Sequence, residues 1–168
     1  MADYEPWNED RAGAIIAARV NDEGAMLPIL HDLQEAFGCV PSEAVPMVAL
    51  ALNLTRAEVH GVVTFYHDYR RQPPGRHILR LCRAEACQAL GADAVAAHVR
   101  TSLGIDWHGT GADGRMTLEP VFCLGLCAIG PAALLDGQPL ARLNAARIDT
   151  ALDTALDTPL DTPLGGLS

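Results

Sequence analysis

Four cysteines in two closely spaced pairs constrain this chain more than any other feature of its sequence. Cys82 and Cys87 are separated by four residues, and Cys123 and Cys127 by three. Each pair follows a stretch with the composition of a β-strand, residues 77–81 before the first pair and residues 116–122 before the second. The sequence therefore places two thiol pairs at the ends of two strands.

This arrangement favours one [2Fe-2S] cluster. Two sulfides bridge the irons of such a cluster, and each tetrahedral iron takes two protein thiolates. Loops of four and three intervening residues are both short enough to bring two sulfurs to one iron. We expect Gly125 and Gly130 to have positive φ angles and to let the backbone approach closely, so that amide N–H groups point at the sulfurs.

Two other uses of the thiols are considered beside the cluster. Structural zinc sites favour Cys-x2-Cys pairs but also occur with up to four intervening residues, so a zinc-stabilised interaction module is an alternative. A free-standing thiol oxidoreductase is less favoured, because neither pair has the Cys-x-x-Cys spacing. The six histidines show no ligand spacing with the cysteines. Cys39 has no neighbouring cysteine in sequence and is interpreted as a small buried apolar residue.

The bulk composition excludes several classes of protein. Of the 168 residues, 49% are hydrophobic and 20% are charged, which is typical of a globular chain large enough to bury a core. The formal net charge of −9 disfavours nucleic-acid binding.

The N-terminus lacks the features of a signal peptide, and the longest apolar run contains Pro46 and is too short to cross a bilayer. We expect a soluble cytoplasmic protein without membrane insertion. In the reducing cytoplasm, paired cysteines bind metals more often than they form structural disulfides.

The N-terminal part has helical periodicity. In the second of four expected helices, apolar side chains recur on one face: Met26, Leu30, Leu33 and Phe37. Gly38 is the expected C-terminal stop of this helix. Ser42 is expected to cap the third helix, and Thr55 and Glu58 have the spacing of a capping box for the fourth. Residues 61–66 fit either a buried helix end or a short extended segment.

The turn-rich segment 70–76 is the expected boundary after this helical region. We assign residues 1–75 to an N-terminal helical region, 76–146 to a second domain, and 147–168 to a C-terminal helix and flexible tail. After Cys87 the pattern predicts one helix that ends at Gly104.

Further along the chain, Asp136-Gly137 predicts a hairpin turn. Residues 107–114 are interpreted as a surface loop. The glycine-rich segment 109–114 leads into a strand. A phosphate-binding loop leads into a helix, so this segment is not interpreted as one.

A Leu-Asp-Thr repeat begins at residues 152, 156 and 160. The spacing of four places three apolar residues on one helical face: Ile148, Leu152 and Leu156. This face is interpreted as packing within the chain, with a docking strip for a partner as the alternative. Pro159 and Pro163 are expected to end the helix.

The chain resembles a known family through three features taken together. A helical region ending in Val-Thr-Phe-Tyr at 63–66 is followed by Cys-x4-Cys and then by Cys-Leu-Gly-x-Cys-x3-Pro. Over residues 10–145 this resembles the thioredoxin-like [2Fe-2S] subunit of respiratory complex I, and the equivalent subunits of NAD-reducing hydrogenases and NAD-dependent formate dehydrogenases. The loop Cys-Arg-Ala-Glu-Ala-Cys-Gln at 82–88 is most similar to the gamma subunit of molybdenum- or tungsten-containing, NAD-dependent formate dehydrogenase.

The resemblance implies an α+β fold, with an N-terminal helical bundle followed by a thioredoxin-like [2Fe-2S] ferredoxin domain built on a central sheet of about four strands. Four cysteines match the family's cluster ligands: Cys82, Cys87, Cys123 and Cys127. The implied role is electron transfer without substrate chemistry of its own. The implied partners are an iron-sulfur subunit that binds FMN and NADH and a molybdenum- or tungsten-containing catalytic subunit. The loops around Arg83, Glu85 and Leu124 are expected to line an interface.

Overall fold

The computed structural model describes residues 4–157 and divides into two compact units, one ending at Pro74 and one beginning at Gly75. The first unit is helical and the second combines helices with a sheet. This is the mixed architecture that the resemblance implies. None of the helices within residues 4–157 is long and apolar enough to cross a membrane.

The first unit contains four helices: α1 (Glu9–Arg19), α2 (Met26–Phe37), α3 (Ala44–Ala51) and α4 (Arg56–Phe65). The predicted apolar face of α2 is confirmed, since Leu30, Leu33 and Phe37 are buried in the core of this unit. Gly38 ends α2 with a φ of 76°, a conformation that glycine adopts without strain. Of the segment 61–66, residues 61–65 prove to be the end of α4, and Tyr66 is its C-cap.

The two expected helix caps have different outcomes. Thr55 and Glu58 form the predicted capping box, because Thr55 Oγ1 accepts from the Glu58 amide at 3.2 Å and the Thr55 amide donates to Glu58 Oε2 at 2.8 Å. The Thr55 amide and the Thr55 hydroxyl both donate to the Glu58 carboxylate, and these two hydrogen bonds lower the pKa of the Glu58 carboxyl. The predicted Ser42 cap is wrong: α3 begins at Ala44 without a side-chain cap. The carbonyl oxygens of Pro41 and Ser42 accept from the first amides of α3, and the Ser42 hydroxyl donates to Glu43 instead.

The second unit contains a five-stranded sheet in the order β2-β3-β1-β4-β5. Its strands are β1 (His77–Cys82), β2 (Gly109–Thr110), β3 (Met116–Val121), β4 (Ala133–Leu135) and β5 (Gln138–Leu140). Its helices are α5 (Glu85–Ala89), α6 (Ala92–Leu103) and α7 (Ala145–Asp157). Strands β1 and β3 are parallel, whereas the other pairs are antiparallel.

Two features of this unit differ from expectation and one agrees. The glycine-rich loop contains β2, which adds a fifth strand beside β3. The single helix expected after Cys87 is divided into α5 and α6, because Gly91 has a φ of 96° that no helix allows. The predicted hairpin is confirmed, since Asp136 and Gly137 connect β4 and β5 with φ angles of 51° and 82°.

Helix α7 places its apolar face in the core of its own unit. Ile148, Leu152 and Ala155 are buried there together with side chains of the sheet, and Leu156 packs against them. The face is therefore used in intramolecular packing, as interpreted, and not as a free docking strip. The third repeat and the two prolines after it lie outside the described residues.

Candidate metal centre

The topology places both cysteine pairs at one end of β1. Strands β1 and β3 are parallel and in register up to Cys82 opposite Val121, so their carboxyl ends meet at one edge of the sheet. Cys123 follows β3 by two residues. Because β4 pairs with the opposite side of β1, the chain between β3 and β4 must cross this edge, and it carries Cys127 across.

The first pair is buried. Cys82 is the last residue of β1 and is 3% exposed, and Cys87, within α5, is 1% exposed. Burial raises the pKa of the Cys87 thiol, and the neighbouring thiols of Cys82 and Cys127 raise it further, against a hydrogen bond from the Ala132 backbone that lowers it. The Cys127 backbone lies near this pair, because a Cβ added at Gly130 would be 3.4 Å from Cys87 Sγ and 3.5 Å from the Cys127 carbonyl oxygen.

The second pair is exposed and its backbone turns toward a sulfur. The Gly125 amide donates to Cys123 Sγ at 3.3 Å, and the φ of Gly125 is 71°, as the sequence predicts. The positive φ expected of Gly130 is wrong, because Gly130 has a φ of −67° and is extended, the conformation favoured before a proline. Its expected close approach is confirmed: a Cβ at Gly130 would lie 3.4 Å from Cys87 Sγ.

The thiols fit a sulfide-bridged iron cluster. All five cysteines have free thiols. A buried thiol such as Cys87 favours its neutral form, and a bound metal ion replaces the thiol proton and removes this barrier. Within residues 4–157, no three His, Cys, Asp or Glu side chains are grouped so as to hold one metal ion. Paired thiolates on two neighbouring loops are the donor set that a two-iron cluster uses.

Cys39 lies in the helical unit and is 5% exposed, which confirms its interpretation as a buried residue. Burial raises the pKa of its thiol, and the Glu43 carboxylate adds to this effect while Arg70 opposes it.

One contact beside the first pair could not be read from the sequence. The Arg83 guanidinium lies with its Cζ 5.3 Å from the centroid of the Trp107 ring, and its Nη2 is 2.9 Å from Asp93 Oδ1. Of the other residues expected at an interface, Glu85 is exposed and Leu124 is half-buried against the first pair. No sequence spacing connects residues 83, 93 and 107, which come from three different segments.

The chain is similar to several known proteins. The family model described as thioredoxin-like [2Fe-2S] ferredoxin matches residues 12–156. A subunit of the NADH-quinone oxidoreductase of Pseudomonas aeruginosa is 41% identical over 112 residues, which cover 67% of this chain and 68% of the relative. The corresponding NADH-quinone oxidoreductase chain of Escherichia coli is 36% identical over 128 residues, with 76% and 77% covered. The HndA subunit of an NADP-reducing hydrogenase from Solidesulfovibrio fructosivorans is 34% identical over 130 residues, with 77% and 76% covered.

A solved structure with the same fold comes from a larger protein. A chain of an NAD+-reducing [NiFe]-hydrogenase superposes with a TM-score of 0.65 and 28% identity over 81% of this chain. The present chain spans only 24% of the length of that hydrogenase chain. The family match and the curated relatives show that this chain belongs to the thioredoxin-like [2Fe-2S] ferredoxin family, whose cofactor is one [2Fe-2S] cluster.

Proposed function

We propose that this chain is an electron-transfer subunit in which four thiolates hold the cluster: Cys82, Cys87, Cys123 and Cys127. The observation that carries the proposal is the meeting of both cysteine pairs at the carboxyl ends of the parallel strands β1 and β3. When bound, a [2Fe-2S] cluster accepts and passes on one electron. The first cysteine pair is buried, so water is excluded from that side of the proposed cluster site. The second pair is exposed, so the other side of the site is open to a partner.

The partner that we propose is a protein chain that binds FMN and NADH. NADH-quinone oxidoreductases and an NAD+-reducing hydrogenase are among the proteins that this chain is similar to. Exposed apolar side chains close to the cysteines support docking at this end of the sheet. Phe122 precedes Cys123 and is 75% exposed, and Leu90, which would meet a Cβ added at Gly130, is 55% exposed.

Within this class we propose membership of an NAD-dependent formate dehydrogenase complex with a molybdenum- or tungsten-containing catalytic subunit. The support is the resemblance of the whole loop Cys-Arg-Ala-Glu-Ala-Cys-Gln at residues 82–88 to that subunit. The equivalent subunits of NADH-quinone oxidoreductase and of hydrogenase are the alternative assignments, and the similarity to both supports the broader class.

Purification of the tagged chain from its native cells tests the partners. We expect it to bring down a flavin-containing subunit and a molybdenum- or tungsten-containing subunit, in a preparation that reduces NAD+ with formate. Activity with hydrogen or quinone and none with formate would overturn the formate assignment and leave the electron-transfer role. A Phe122→Ser variant that keeps its iron should recover less of the flavin subunit. Equal recovery would contradict docking at this end of the sheet.

A further inference from the structure

We propose that Arg83, held in place by Trp107 and Asp93, raises the reduction potential of the cluster through its positive charge. The inference rests on the proposed ligand set, because Arg83 directly follows Cys82. Consecutive Cα atoms are about 3.8 Å apart, so this cation is anchored next to a ligand.

The backbone of Arg83 is held by the end of strand β3 and by the residue after Cys87. Its amide donates to the carbonyl oxygen of Val121, the residue opposite Cys82 in the sheet, at 2.6 Å. Its carbonyl oxygen accepts from Gln88 Nε2 at 3.1 Å, and Gln88 follows Cys87. The residue therefore does not move independently of the loops that carry the ligands.

The side chain of Arg83 is fixed as well. It is 24% exposed, and its guanidinium contacts the Trp107 ring, in the loop before β2, and the Asp93 carboxylate, in the first turn of α6. Cation–aromatic contacts are stronger when they are shielded from water, and a half-buried guanidinium is screened less than one in solvent. Arg83 is thus a held charge rather than a mobile surface charge.

A held cation beside the cluster favours the reduced state. Reduction adds one negative charge to a group that four thiolates already make anionic, and charge close to a cluster is one of the factors that set its potential. With about 10 Å between the guanidinium and the cluster and an effective dielectric constant of about 20, one unit charge changes the equilibrium constant for reduction of the cluster roughly tenfold. The Asp93 carboxylate opposes this effect, but it is 63% exposed and therefore acts more weakly.

Potentiometric titration of the purified chain, followed by EPR and with iron and sulfide measured in each sample, tests the proposal. Arg83→Gln should lower the equilibrium constant for reduction about tenfold, which is a fall of about 59 mV for one electron. Asp93→Asn should raise the equilibrium constant, by about threefold. Arg83→Lys, which keeps the charge, should restore most of the wild-type value. If Arg83 and Asp93 had structural roles alone, both variants would lose iron. The potential would then not fall in Arg83→Gln and rise in Asp93→Asn.

Arg100→Gln is the matched control. Arg100 also contacts the Trp107 ring, with its Cζ 5.8 Å from the centroid, and pairs with Asp106 at 2.7 Å. It lies about 12 Å further along α6 than Ala92, the α6 residue that packs against the first cysteine pair. Its replacement should change the equilibrium constant less than about twofold.

Two results would overturn the proposal: unchanged potentials in Arg83→Gln and Asp93→Asn at full iron content, or shifts of both in the same direction. If Arg83→Gln does not retain iron, Asp93→Asn decides, since an upward shift supports the proposal and no shift overturns it. A wrong ligand set is recognised separately, because it appears as retention of iron in the Cys→Ser variants.

Discussion

Replacing Leu152 by Ala tests the finding that α7 belongs to the core of the sheet unit. Leu152 is 3% exposed and packs in the same core as Leu79 and Leu118. Truncation of a buried Leu removes transfer free energy and leaves a cavity, which together cost about 3 kcal/mol. With a urea dependence of about 2 kcal/mol per molar, the unfolding midpoint of this unit should fall by about 1.5 M.

The assay must report on the sheet unit alone. The chain has two tryptophans, Trp7 in the helical unit and Trp107 in the sheet unit. In a Trp7→Phe background, the fluorescence of Trp107 follows the sheet unit during anaerobic urea unfolding. Leu90→Ala is the matched control in the same unit, because the same truncation at a side chain that is 55% exposed should change the free energy of unfolding by less than about 1 kcal/mol. An equally small change for Leu152→Ala would refute the packing of α7 and favour a docking strip.

Three further predictions concern single residues. Gly125→Ala places a side chain at a φ of 71° in the second cysteine loop, which should cost about 1 kcal/mol and lower the iron retained after gel filtration. Gly61→Ala is the control and should keep its iron, because a Cβ added there would have no atom within 4 Å and Gly61 lies in α4. Asp136→Ala removes the hydrogen-bond partner of buried His77 Nδ1, at 2.7 Å, and of the Ile78 amide, at 2.8 Å. The urea midpoint reported by Trp107 fluorescence should fall by an amount equivalent to about 1–3 kcal/mol. An unchanged midpoint would contradict these contacts. Burial raises the pKa of the Cys39 thiol, so the folded protein favours the protonated thiol. The contribution of this thiol to the free energy of unfolding is therefore fully present below the ordinary thiol pKa of about 8.5. It is lost as the pH rises from there through the raised pKa of the folded protein. Far-UV circular dichroism during urea unfolding should therefore show less loss of stability between about pH 8 and 10 in Cys39→Ala than in wild type, and equal losses would contradict the raised pKa.

Local patterns in the sequence predicted the elements that local interactions determine. The spacing of Leu30, Leu33 and Phe37 predicted the buried face of α2, and Gly38 its end, because helix periodicity and left-handed glycine are properties of neighbouring residues. Asp136-Gly137 predicted its hairpin for the same reason.

The features that were missed depend on contacts between distant segments. Strand β2 has only two residues, and its pairing with β3 cannot be read from Gly109 and Thr110 alone. Ser42 has the right type for a cap, but the turn before α3 already supplies carbonyl acceptors. The division of the chain at residues 75 and 146 stays a prediction.

For the site, the sequence predicted the four thiols but not their setting. The pairing of β1 with both β3 and β4 explains why the second loop crosses the end of β1, and this topology is not visible in the cysteine spacing. The contact between Arg83 and Trp107 joins segments 24 residues apart and depends on the position of the loop before β2.

The most direct test of the account is spectroscopy of the anaerobically purified chain, with iron, zinc and sulfide quantified. A red-brown protein with about two irons and two sulfides per chain, EPR-silent when oxidised and EPR-active after reduction by dithionite, is the expected result. Each of four single variants should lose or severely destabilise the cluster: Cys82→Ser, Cys87→Ser, Cys123→Ser and Cys127→Ser. Cys39→Ser should retain it. A colourless protein that contains zinc and no sulfide, or a Cys39→Ser variant that loses its colour, would contradict the assignment.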